Sequence, residues 1–184
     1  MDISRHRMTI VFAAIAVLAQ IILASNMQIG NAVPNFITSF VVAFAMVRSD
    51  SPHYVLAFVL GLIADLLGSS AVGLTSLCLL IAVFVVTMVS QTVGNDNLLM
   101  SIIVLLIALF GVDLVYALFM VGAGAASFSD AMLYRALPCT LYDATLSIIW
   151  YLVILHFSAP FRGMGNSGRG NLSLIHISEP TRLL

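Results

Sequence analysis

Residues 58–73 read FVLGLIADLLGSSAVG. One carboxylate, Asp65, stands in a run otherwise made of Leu, Ile, Val, Phe, Ala, Gly and two serines, with glycines before and after it. Such a run belongs either to the minority core of a water-soluble domain or to a segment dissolved in lipid, and the rest of the chain decides between them. The 184 residues are 61% hydrophobic and 8% charged, whereas soluble domains carry about 25% charged residues. So few charges cannot cover a water-facing surface, and comparable apolar runs recur along nearly the whole length. The chain therefore reads as all-α and polytopic, a six-helix transmembrane bundle with short loops.

Composition also removes several classes of function. The net charge is −1, with seven Arg and no Lys, which leaves no dense basic patch for nucleic acid. Cys78 and Cys139 fall inside apolar runs without CxxC or Cys/His spacing, as expected of small packing residues rather than metal ligands or redox centres. The apolar run from Met8 to Ala24 follows MDISRHR and precedes SNMQ, which lacks a clean small-x-small cleavage site, so it reads as a retained first span rather than a signal peptide.

A bilayer core of about 30 Å needs about 20 helical residues, or about 17 at the short end. By that ruler the spans fall at Met8 to Ala24, Pro34 to Val47, His53 to Leu67, Ala71 to Val89, Leu98 to Val121 and Ala131 to Phe157. Pro34 suits a first helical turn, where its missing N–H had no partner to lose. The second and third spans lie near the lower limit, so a re-entrant hairpin is the alternative there. Short linkers make neighbouring spans antiparallel hairpins of a single transmembrane domain over residues 1–160. Residues 161–184 read as a flexible tail, of which 172–184, LSLIHISEPTRLL, resembles a translated adapter or vector junction and is left out of functional reasoning.

Orientation follows from the arginines. Arg5 and Arg7 precede the first span, Arg48 lies between the second and third, and Arg162 and Arg169 follow the sixth, while the loops at 25–33, 68–70 and 122–130 hold no Arg or Lys. The positive-inside bias then puts both termini and the Arg48 loop in the cytoplasm. Arg135, near the outer end of the sixth span, is expected to snorkel outward or to meet Asp130 or Asp143.

Three carboxylates lie within spans: Asp65, Asp113 and Asp143. A central Asp costs about 2.5–3.5 kcal/mol on insertion scales, so each is expected to face the bundle interior, a wet cavity or the interface. Residues three and four apart share a helix face, which sets Ala57, Gly61, Ala64, Asp65 and Gly68 on one narrow stripe. Small side chains admit a neighbouring backbone, and the carboxylate can bond across the gap to a hydroxyl, amide or N–H. Gly68, Ser69, Ser70 and Gly73 then form a permissive turn into the fourth span. Asp65 thus reads as a hairpin lock, a contact for a partner or ligand, or a residue wetted near the headgroups. Asp113, with Tyr116 and Ala117 on its face, and Asp143, flanked by Cys139 and Ser147, bond to polar groups on other spans or line a solute path. The helix-contact or partner-binding set is accordingly Gly61, Asp65, Gly68, Gly73, Asp113 and Asp143.

No catalytic, cofactor or metal site is expected. His6, His53 and His156 are separated on the membrane boundaries without ligand spacing, and there is no GxxxxGK[ST] segment.

With these residues in hand, the chain resembles the rod shape-determining protein MreD family over about residues 5–160. Val33-Pro34-Asn35-Phe36 is similar to that family's Pro-Asn start of the second span. Phe58, Gly61, Asp65, Leu66, Gly68 and Gly73 are similar to its F-x-x-G-x-x-x-D-L-x-x-G-x-x-x-x-G hairpin. Asp113 matches the family's acidic position in the fifth span, and the stretch from Arg135 to Asp143 resembles the lead into the last span, where many members carry Asn at the position of Asp143. The resemblance implies a non-enzymatic scaffold subunit of the bacterial inner membrane without cofactors. It further implies association with the bitopic protein MreC and, through it, with MreB filaments, the glycosyltransferase RodA and a penicillin-binding transpeptidase, in lateral peptidoglycan synthesis. The alternative from another class is the substrate-capturing subunit of an energy-coupling-factor vitamin transporter. That protein would enclose an outward cavity of several hundred Å³ around Asp113, Tyr116 and Asp143, where a scaffold would have a closed core.

Overall fold

The computed structural model describes residues 2–24, 26–28, 33–49, 53–68, 71–93, 98–125 and 127–162. These residues fold into helices α1 (Asp2–Leu23), α2 (Phe36–Val47), α3 (Tyr54–Leu67), α4 (Leu74–Val93), α5 (Leu98–Gly122), a short α6 (Phe128–Ala131) and α7 (Leu137–Arg162). A π-helical turn over Met132–Ala136 joins the last two. It is closed by the bond from the Leu137 N–H to the Met132 carbonyl, directly before Pro138, which has no N–H to continue the ladder. Each expected span contains a long helix, with ends moved by up to six residues, and the sixth also takes in the end of α6 and the π turn. The tail reading overlaps α7 at residues 161 and 162; the rest of it, with Ser69 and Ser70, lies outside the described residues.

Among the described residues, three helices are long and apolar enough to cross a membrane, over Leu74–Thr92, Leu99–Gly122 and Leu137–Phe157. The apolar parts of α1, α2 and α3 are shorter. At about 1.5 Å per residue, the 12 residues of α2 rise about 18 Å.

This helix, the shortest but for α6, is the axis of the fold. Every residue of FITSFVVAFAMV is buried, and α2 packs against α1, α3, α4, α5 and α7. A helix apolar on all sides can be satisfied only by neighbours on all sides. Phe40, fully buried, meets Trp150 of α7 at 5.1 Å between ring centroids, and Trp150 in turn meets Phe12 of α1 at 6.3 Å. Both pairs are edge-to-face, the favoured arrangement for aromatic quadrupoles. Outward-facing Val55, Leu77, Ile107 and Leu141 are each more than half exposed, as suits side chains solvated by acyl chains.

The α3–α4 hairpin brings two backbones into direct contact. A Cβ built on Gly61 would lie 2.5 Å from the Ser76 Cα and 2.9 Å from its backbone nitrogen. Only a residue without a side chain allows this approach. The Ser76 hydroxyl uses it to donate to the Phe58 carbonyl at 3.3 Å.

Candidate functional site

A helix starts with backbone N–H groups that its own turns cannot satisfy, and away from water each needs another acceptor. Two of the three carboxylates singled out above fill that need on a different helix. Asp65, near the end of α3, is 2% exposed. Its Oδ2 accepts from the Gly73 N–H at 2.8 Å and from the Ser76 N–H at 3.4 Å, while Oδ1 accepts from the Thr75 N–H at 3.1 Å. The carboxylate therefore caps α4 from the preceding helix, where its charge also complements the positive end of the α4 dipole. Gly73 holds φ +97°, which an L side chain rarely adopts. Gly68, by contrast, closes α3 at φ −93° with its N–H on the Ala64 carbonyl, so its place in the turn does not depend on left-handed freedom.

Asp143 does for α2 what Asp65 does for α4. It is 1% exposed, and its Oδ1 accepts from the Asn35 N–H at 2.7 Å. Asn35 is the N-cap of α2, its side-chain oxygen accepting from the Thr38 N–H at 3.1 Å. Gln20 of α1 supplies a further acceptor: its Oε1 takes the Phe36 N–H at 2.7 Å, and its Nε2 donates to the Pro34 carbonyl at 3.4 Å. One turn on, the Ser39 hydroxyl donates to the Asp143 carbonyl at 3.1 Å and the Ser147 hydroxyl to the Ser39 carbonyl at 3.0 Å. The start of the central helix is thus held from both sides by polar groups of α1 and α7.

Gln20, Ser39 and Thr140 were missed in the sequence. Gln20 carried the same signal as the aspartates, a polar side chain inside an apolar run, without the charge that draws attention.

Asp113 of α5 caps no helix among the described residues. Its Oδ2 accepts from the Thr140 hydroxyl at 2.6 Å, and it lies within electrostatic reach of Arg135 and Asp143. The Arg135 guanidinium lies over the Tyr116 ring, 4.4 Å from its centroid, a cation–π contact. Arg135 was expected to snorkel outward or to meet Asp130 or Asp143; the structure sets it against the Tyr116 ring and within the field of Asp113. Asp130 instead accepts from the Ser127 hydroxyl at 2.6 Å within the α6 cap.

These groups surround a cavity of about 390 Å³. Gln20, Asn35, Thr75, Asp113, Arg135 and Asp143 provide its polar wall, with Tyr116, Cys139 and apolar residues of α1, α3 and α5 between them. It lies at one end of the bundle, where α1, α3 and α5 finish and α2, α4 and α7 begin. Of the expected set, Asp113, Asp143 and Gly68 line it, whereas Gly61, Asp65 and Gly73 lie in the α3–α4 contact beside it. Among the described residues no group of three or more His, Cys, Asp or Glu could hold a metal ion. Both cysteines are free and buried.

A family model described as rod shape-determining protein MreD matches residues 2–159. No curated protein and no solved structure matches the chain.

Proposed function

The chain belongs to the MreD family of rod shape-determining proteins, which makes it a non-catalytic membrane subunit of the cell-shape machinery, and from that premise we propose that it acts as a scaffold within the bilayer. In this reading residues 1–160 form one six-span domain of the bacterial inner membrane with both termini in the cytoplasm. An MreC-like bitopic protein docks on its helices, and MreB filaments, RodA and a penicillin-binding transpeptidase are reached through that partner. The observation that carries the proposal is the family match over residues 2–159.

The geometry supports a division of labour among the singled-out residues. Gly61, Asp65, Gly68 and Gly73 set the α3–α4 hairpin, Asp143 sets the start of α2, and together they keep the outer helix faces in fixed relation for a partner. A scaffold needs that rigidity, because a partner helix that must first order its binding surface binds more weakly.

The transporter-subunit alternative gives way to the family, although the cavity beside Asp113, Tyr116 and Asp143 has the size it anticipated. Affinity purification from the native membrane tests the two roles directly. Recovery of a bitopic MreC-like protein is expected; recovery of a coupling ATPase with its membrane partner, and no MreC-like protein, would overturn the scaffold reading.

A further inference from the structure

The cavity has unused hydrogen-bonding capacity of both signs. Asp143 is almost wholly buried, with Oδ1 taken by the Asn35 N–H. Asp113 has Oδ2 taken by the Thr140 hydroxyl. Among the described residues, no protein donor reaches the second oxygen of either carboxyl. Both carboxyls line the cavity, and a ligand carrying several N–H groups can donate to the two remaining oxygens at once. Arg135 presents the opposite charge on another wall of the same space. Its guanidinium carbon lies 4.4 Å from the Tyr116 ring centroid, a contact that uses no hydrogen-bond acceptor and so leaves N–H capacity for phosphate or carboxylate oxygens.

We propose that this cavity binds the zwitterionic headgroup of an amine-bearing phospholipid, with the primary ammonium between Asp113 and Asp143 and the phosphate on Arg135. The volume of about 390 Å³ falls in the range of small-molecule sites. A primary ammonium offers three donors to the open carboxyl oxygens, whereas a trimethylated ammonium offers none and is bulkier. The lining separates a lipid from a free zwitterion of the same chemistry. Ile21 of α1 and Leu67 of α3 line the cavity and are also 53% and 48% exposed on the apolar surface. A headgroup bound here can therefore leave its acyl chains along lipid-facing side chains instead of burying them in protein. This inference rests on the cavity alone and stands or falls separately from the choice of protein partner.

The test uses the full chain purified in detergent, supplied with equal amounts of phosphatidylethanolamine and phosphatidylcholine of identical acyl chains, with bound lipid counted by native mass spectrometry. Retention of the ethanolamine lipid should exceed that of the choline lipid by about tenfold, the worth of one charge-assisted hydrogen bond. Arg135→Gln and Asp113→Asn should each bring the ratio to within about twofold of unity. Neither variant removes a helix cap, and thermal unfolding without added lipid verifies that both fold. Equal retention of the two lipids, or a ratio unchanged in both variants, would overturn the site. Soluble glycerophosphoethanolamine should fail to displace the lipid; displacement at equal concentration would overturn the lipid assignment in favour of a free zwitterion.

Discussion

Replacing Asp65 by leucine removes the acceptor for the first N–H groups of α4 while nearly preserving side-chain volume. The two shorter bonds, to Gly73 at 2.8 Å and Thr75 at 3.1 Å, carry most of the effect; the contact to Ser76 at 3.4 Å adds little. Each buried N–H left without an acceptor costs about 1–3 kcal/mol, and local relaxation recovers part of that sum. The expected loss for Asp65→Leu is about 3 kcal/mol, more than a hundredfold in the unfolding equilibrium. Asp65→Asn keeps one acceptor oxygen but sets an NH2 group against either the Gly73 or the Thr75 N–H and gives up the charge at the helix start, a loss of about 2 kcal/mol. Reversible unfolding of the purified protein in mixed micelles, followed by circular dichroism, measures both. A leucine variant within about 0.5 kcal/mol of the native protein, or an asparagine variant as unstable as the leucine one, would refute the capping argument. Co-purification of the MreC-like protein by the asparagine variant separates the lock from a direct contact: a lock predicts that the partner is retained.

Gly61→Ala forces a Cβ to within 2.5 Å of the Ser76 Cα and should cost about 1–3 kcal/mol of overpacking in the same unfolding assay. Gly111→Ala in α5, where an added Cβ meets nothing within 4 Å, should instead gain about 0.5–1 kcal/mol from helix propensity. Asp143→Asn retains an acceptor for the Asn35 N–H and should remain close to native stability, whereas Asp143→Leu orphans that N–H and should lose about 2 kcal/mol by the same measurement. Cys78, buried in α4, should resist a water-soluble maleimide in the folded Cys139→Ala protein and react after unfolding in detergent; rapid labelling under native conditions would contradict its burial.

Much of this arrangement was legible in local sequence. Apolar runs near helical length, separated by short polar breaks, determined that the chain is all-α and placed the six long helices to within about six residues, because hydrophobicity and turn chemistry are properties of a short window. The spacing of Gly61 and Asp65, with Gly73 beyond them, put a hairpin lock among the readings for the same reason: the N–H groups that reach the carboxylate lie within 11 positions of it. What the tertiary structure alone decided is which helix stands at the centre and which distant group completes it. Asn35 and Asp143 meet across 108 positions, and Gln20 reaches the same helix start from α1. The cavity around Asp113 and Arg135 is likewise formed by the ends of several helices. An orphaned N–H states that an acceptor is needed but not which neighbour provides it, since that depends on the order in which helices pack around α2. Periodicity records the burial of a face, and only the assembled bundle records what it is buried against.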